Sequence, residues 1–216
     1  MYSGGMSASE RLVEAAQDLL WERGYVGTSP RAIQQRAGAG QGSMYHHFAG
    51  KPALAQAAIR RSAQELRAAV EAVLGGGGTA YGRIEAYLLR ERDVLRGCPL
   101  GRLAMDPDVV ADAALRAPVD ETLDWLRDRL AGVVQEGVDR GEFAPGLDAR
   151  HTAAAVAAVV QGGYVLARAS GSAAAFDTAV RGLLDLLAPG RGAAAGSRGE
   201  YARTGAADAA GDEGDA

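Results

Sequence analysis

The groups best placed to do chemistry in this chain lie between Thr28 and Leu54, in TSPRAIQQRAGAGQGSMYHHFAGKPAL. Gln41, Gly42 and Ser43 stand together, Tyr45 and His46 follow, and Lys51 comes directly after Gly50. An amide, a hydroxyl and an unobstructed backbone at the start of a helix can hydrogen-bond to base edges when that helix enters a major groove. Bond-breaking chemistry has no comparable candidates. No Ser-His-Asp order and no paired carboxylates stand out. The glycine run Gly75 to Gly78 lacks the Lys-Ser/Thr that follows a phosphate loop, and reads as a linker. His46 and His47 suggest a metal only until their directions are considered, because adjacent residues on a helix point apart. Neither a metal nor a cofactor is expected. Cys98, the single cysteine, reads as a small apolar core residue in preference to a nucleophile or redox sensor.

Two short helices and a turn must position these groups. Ser29 is a good N-cap, and Pro30 suits a first helical position because it has no N–H to lose. Ala32, Ile33 and Ala37 give that helix one apolar side. Gly38 and Gly40 break it and permit a turn with positive φ. Gln41 to Phe48 restarts as a second helix, Gly50 ends it, and Pro52 opens the next. Helix, glycine-containing turn, helix is the helix-turn-helix plan, in which the N-terminal residues of the second helix meet base edges.

The periodicity around this motif is helical throughout. Ser9 can cap a helix from about Glu10 to Arg23, which buries Leu12, Ala15, Ala16, Leu19 and Leu20 at spacings of three and four. Lys51 to Leu74 predicts one long helix, stopped by four glycines that each cost about 1 kcal/mol relative to alanine. Further helices are expected at Ala80 to Leu95, Pro107 to about Arg116, Pro118 to Gly141, Ala149 to Ala169 and Ser172 to Leu187. Nothing keeps period two for long. The fold class is therefore all-α, with about nine helices and no sheet. Residues 1–8 read as a flexible N-terminus, 9–55 as the helix-turn-helix domain, 56–188 as a larger helical body, and 189–216 as a disordered tail. Sixteen of the 28 tail residues are Gly or Ala, and none is Leu, Ile, Val, Phe or Met, so the tail cannot bury enough apolar area to offset ordering.

Charge is distributed unevenly. The chain as a whole carries −4, but residues 1–61 hold seven basic against four acidic side chains, leaving −7 for the rest. A basic head on an acidic body is the footprint of a head that meets phosphate. There is no run of eighteen apolar residues, so no transmembrane helix is expected. MYSGGMSASER lacks the basic-then-apolar order of a signal peptide, and a lone cysteine fits a reducing cytoplasm.

The order Gly-Tyr-x-x-Thr-Ser, the Ala-Gly turn, Gly-Ser-x-Tyr-x-His-Phe and the Lys after it resembles the DNA-binding signature of the tetracycline-repressor (TetR) family of bacterial regulators. The resemblance covers the first three helices and the start of the fourth. The later GCPLGRLAMD is similar to the branch typified by the LmrA and YxaF repressors. The resemblance implies that Thr28 and Ser29 touch phosphate, with Arg31 in the same DNA-facing set. It implies that Gln41, Gly42 and Ser43 approach bases, that Tyr45 and His46 contact backbone or base, and that Lys51 meets phosphate at a helix N-terminus. Two positions depart from the pattern. Gly40 replaces a frequent capping Ser, and Gln41 replaces a frequent Lys, giving up a cation for a group able to pair with adenine.

A divergent ligand-binding body and a homodimer on the last two long helices are implied as well. Val156, Val160, Gly163 and Ala167 form one stripe, and Phe176, Val180, Leu183 and Leu187 another. Together they exceed what one thin body needs, so they are expected to pack against their copies as a two-fold four-helix bundle. The body also holds Tyr87, Cys98, Leu103, Met105, Trp125, Gln161, Tyr164 and Arg168. Mostly apolar pockets with a few polar groups are how small-molecule sites are built. A lipophilic or aromatic effector, uncharged or weakly anionic, is expected, with Gln161 and Tyr164 orienting it and Arg168 meeting any acid. Trp125, Tyr164 and Met105 could equally fill core. A ligand-responsive repressor acting on double-stranded operator DNA is the reading. An activator or a regulator without an inducer, and an enzyme on a helical scaffold, are the competing classes.

Overall fold

Each helix begins where some side chain can take up the first free N–H groups, and these caps decide the boundaries. The structure, a computed structural model, describes residues 6–189, and they form ten helices and no strand. The first, α1 (Ala8–Arg23), is opened by Ser7 rather than Ser9. The Ser7 hydroxyl accepts the Glu10 N–H at 3.2 Å, and the Glu10 carboxylate accepts the Ser7 N–H at 2.6 Å. Ser9 has no such reciprocal partner and lies inside the first turn. In α2 (Pro30–Ala37), Ser29 accepts the Ala32 N–H at 3.2 Å. Gly38 closes that helix at φ 58°, a left-handed conformation that a side chain would strain. α3 (Gln41–His47) starts at Gly40 with no side-chain cap. α4 (Lys51–Leu74) spans 24 residues, about 36 Å at the usual helical rise, and stops at Gly75.

The body departs from the sequence expectation at several ends. α5 (Ala80–Leu89) is capped by Thr79 and stops short of Leu95. The Arg92 guanidinium turns back on it, donating to the carbonyls of Tyr87, Leu88 and Arg90. Those acceptors would otherwise have served a continuing helix. α6 (Pro99–Leu103) is a short helix in a stretch where no helix was expected, which raises the count from nine to ten. α7 (Pro107–Ala111) ends early because Asp112 caps the next helix, accepting from Ala114 N–H at 2.8 Å. α8 (Ala113–Asp139) therefore starts five residues before Pro118, which sits inside it at the cost of one backbone bond. α9 (Ala149–Ser170) is capped by Asp148, and α10 (Ala174–Leu187) completes the order.

The helices share one continuous core. α1 packs on α2 and α4, α4 on α8, α8 on α9, and α9 on α10. Leu12 and Leu19 in the head connect through Ile59 and Leu74 to Leu88, Leu130, Val156 and Val180 in the body. α9 is long and apolar enough by composition to cross a membrane, but its residues Ala153, Val156, Val160 and Ala167 are buried against protein. From residue 190 on, the expected tail lies outside the described residues, as do residues 1–5 of the expected flexible N-terminus.

Candidate nucleic-acid interface and the cavity behind it

The outward surface of α3 is polar. Gln41, Gly42, Tyr45 and His46 are exposed, and Ser43 is half-buried. Met44 is fully buried and anchors the helix, with its sulfur 3.4 Å from the Gln34 side-chain nitrogen. Arg31 and Ser29 flank this surface from α2 and are also exposed. Thr28 is different. It is buried, and its hydroxyl donates to the Gly24 carbonyl at 2.6 Å. It shapes the entry turn and offers no free hydroxyl to a phosphate, which corrects the expectation for that residue. Lys51 is half-buried at the start of α4, with Nζ 3.8 Å from the centroid of the Tyr25 ring. Burial lowers its pKa, while Asp108 and Asp106 act in the opposite direction.

Two polar seams tie this head to the body. At the first, Arg96 donates to the Asp18 carboxylate at 2.9 Å and lies 3.8 Å over the Trp21 ring, while the Trp21 indole N–H donates to the Gly97 carbonyl at 2.9 Å. The neighbouring Glu22 takes Arg36 of α2 in two bonds, so the seam continues into the helix-turn-helix. At the second seam, one oxygen of the buried Asp106 carboxylate accepts the N–H groups of Tyr25 and Val26 at 2.7 and 3.0 Å. Its other oxygen caps α7 through Asp108 and Val109 N–H. Gly24 makes this approach possible. Its φ is 74°, and a Cβ there would stand 2.8 Å from the Asp106 oxygen.

A cavity of about 430 Å³ lies behind the first seam, between α1, α4, α5, α8 and α9. Tyr87, Cys98, Gln161 and Tyr164 line it, as do Trp21, Arg90 and Arg92, which sequence reasoning missed. The missed signal was an Arg-Glu-Arg run at an apolar helix end, where cations favour the free carbonyls. Burial pushes the Tyr87 hydroxyl up to about 12 and raises that of Tyr164, so both rings stay neutral donors. A second, more open cavity of about 490 Å³ shares Cys98, Gln161 and Tyr164 as its wall and adds Met105 and Arg168. Two expected ligand residues line neither cavity. Leu103 is buried in the core, and Trp125 on α8 stacks with Arg67 of α4 at 5.5 Å. Cys98 caps α6, its sulfur accepting the Gly101 N–H at 3.3 Å.

The expected dimer stripes are placed differently as well. Val156, Val160, Ala167, Phe176 and Val180 are buried within the chain, Val160 in the wall of the first cavity, and Leu187 is half-buried. A Cβ on Gly163 would come within 2.8 Å of the Phe176 ring, so that glycine also serves the internal contact. The face left outward is the next one round. Val159, Gly162 and Leu166 of α9 and Ala179, Gly182, Leu183 and Leu186 of α10 line a shallow apolar groove. Leu166 is 55% exposed and Leu186 76%. Of the expected stripe residues, Gly163 and Leu183 reach this groove. Both phases have helical spacing, and an Ala- and Gly-rich helix can bury either.

Comparison with known proteins adds to this geometry. Residues 12–58 match a family model described as bacterial regulatory proteins, tetR family, and residues 82–183 match a tetracyclin repressor-like C-terminal domain. The chain is 28% identical over 182 residues to an uncharacterized helix-turn-helix-type transcriptional regulator of Mycobacterium tuberculosis, covering 82% of this chain and 93% of that one. It is 30% identical to a TetR transcriptional regulator from Chloroflexus aurantiacus, with a TM-score of 0.73 over 82% of this chain and 92% of that one. A cysteine mutant of the TetR-family regulator CifR, solved on a 26-bp double-strand operator, shares the fold at a TM-score of 0.70 and 21% identity, covering 82% and 95% of the two chains.

Proposed function

Because the chain belongs to the TetR family of bacterial transcriptional regulators, we propose that it is a ligand-responsive repressor. It binds a palindromic operator as a homodimer and leaves it when a small, mostly apolar effector enters the body. Gln41, Gly42 and Ser43 approach base edges, and Tyr45 and His46 contact backbone or base. Ser29, Arg31 and Lys51 hold phosphates, and Thr28 sets the turn that carries them. Two copies join through the outward apolar face of α9 and α10, which brings two α3 helices onto successive major grooves about 34–36 Å apart. It works in the cytoplasm.

The observation that carries this reading is the shared wall of the 430 Å³ cavity, where Trp21 of the head and Gly97 and Cys98 of the body meet. An effector that spreads this wall pulls on the Arg96–Asp18 and Asp106–Tyr25 seams. It also shifts α4, which carries Lys51 at one end and meets the glycine break at the other. The effector must bind the DNA-incompetent arrangement better than the competent one, since equal affinity shifts nothing. A coupling of about 1–3 kcal/mol is ordinary for such proteins. The test is selection of duplexes from a random pool, followed by titration of the preferred one. A palindromic site bound far above random DNA, and released by an apolar compound, supports the reading. No preference for any duplex rejects it.

A further inference from the structure

We propose that the cavity between α1 and α9 takes an organic anion, with one acidic group at Arg90 and Arg92 and an aromatic or aliphatic body beside Tyr87 and Tyr164. This rests on reading that cavity as the effector site, and it moves the acid-binding role away from Arg168. Arg168 is exposed, lines the other cavity and donates to the Arg96 carbonyl at 3.2 Å.

Arg90 and Arg92 differ from Arg61, the other arginine lining this cavity, which pairs with Glu65 at 3.1 Å. Arg83, Arg96 and Arg129 each pair with a carboxylate, whereas neither Arg90 nor Arg92 has one within ion-pair distance among the described residues. Arg92 spends its Nε on the Arg90 carbonyl and one terminal nitrogen on the α5 carbonyls of Tyr87 and Leu88, and its other terminal nitrogen is buried with no hydrogen bond. The Nε of Arg90 is likewise buried and unpartnered. Both side chains are half-buried, and a partly desolvated cation without a counter-charge is one that an anion can complete. The two phenols supply no counter-charge, since burial keeps them protonated and leaves Tyr164 a neutral partner for Arg92. Both guanidinium groups lie over the Tyr87 ring, at 5.6 and 5.7 Å, so the same aromatic ring stands beside both. A carboxylate or sulfonate offers the acceptors these N–H groups lack.

The charge on that ligand is limited. Of the cavity's five acidic residues, Glu14, Glu65, Glu91 and Asp93 are exposed, and the half-buried Asp18 is already paired with Arg96 at 2.9 Å. The exposed ones repel a polyanion such as a nucleotide-linked thioester, while a single acid carried on an apolar body can pass them and reach the arginines.

The experiment compares two dyes on the full chain: anilinonaphthalene sulfonate, and phenylnaphthylamine, which is the same ring system without the sulfonate. Binding is read by energy transfer from Trp21, which lines the cavity, with Trp21→Phe as the control for location. The sulfonate should bind tighter by roughly tenfold or more, the worth of one hydrogen bond to a charged group. Arg92→Gln and Arg90→Gln should each reduce that preference while leaving the uncharged dye within about twofold. Arg92 also caps α5; Arg90 donates no such backbone bond, so its variant and the wild-type ratio decide the matter if Arg92→Gln does not fold. Equal affinities in the wild type, or a preference that survives Arg90→Gln and any folded Arg92→Gln, overturn the anion assignment and leave the cavity reading intact. Absence of Trp21-dependent transfer from either dye overturns both.

Discussion

The chain presents two outward faces of opposite chemistry. On α3, Gln41, Tyr45 and His46 stand in water, and a single buried side chain, Met44, holds them to the head. On α9 and α10, Leu166 and Leu186 stand in water instead, around the small residues Gly162 and Gly182. Hydrated polar groups can exchange water for base edges and phosphates at little net cost. Apolar area left in water is worth about 25 cal/mol per Å² when covered. The first face is suited to recognition by hydrogen bonds and charge, which salt weakens; the second is suited to a copy of itself, which salt barely affects. In the proposed mechanism the long helices between them carry a change of position from one to the other.

The sharpest break of this contrast comes from the apolar side. Leu166→Glu with Leu186→Glu should give a monomer by sedimentation, and operator affinity should fall by about 10²- to 10⁴-fold, the usual loss when two linked heads become one. A double variant that stays dimeric would show that the partner sits elsewhere. Asp106→Ala comes next, because it strands the Tyr25 and Val26 N–H groups. Unfolding free energy should drop by about 1–3 kcal/mol for each group left unpaired. Effector and operator should still bind, but each should affect the other less. Unchanged coupling would remove the second seam from the mechanism. On the polar side, Gln41→Ala should relax base preference at one position per half-site, by about 1–3 kcal/mol if the side chain reads adenine in two bonds. Smallest of all, Lys51→Ala should weaken binding on every sequence alike and flatten the salt slope by about 0.9, one phosphate's share. An unaltered slope would leave the Lys51 ammonium to Tyr25 alone.

How far each region could be read in advance follows the same division. Between Thr28 and Leu54 the signals are local: a Ser before a Pro, Gly38 at a turn, Gly50 and Pro52 at a restart. The helices formed where those residues put them. In the body the deciding contacts are made across larger distances or by side chains that reach back. The end of α5 depends on Arg92 folding over it, and the start of α8 depends on Asp112 outcompeting Pro118. Spacing identified α9 and α10 as helices with apolar stripes, yet it could not say which stripe meets the partner helix of the same chain. That depends on Phe176 seating against Gly163, a contact with no local signature. The cavity was half legible for the same reason. Tyr87, Gln161 and Tyr164 announced themselves by type, while Arg90 and Arg92 fell within the helix expected from Ala80 to Leu95 and gave no such signal.

The most direct test of two polar heads held apart by one apolar joint is stoichiometry on the operator. Sedimentation of the full chain with a labelled operator, alongside footprinting, should give two chains per duplex and two protected half-sites, their centres about 34–36 Å or a whole number of turns apart. A single chain bound per operator, with an isolated half-site held as tightly as the whole, would contradict it.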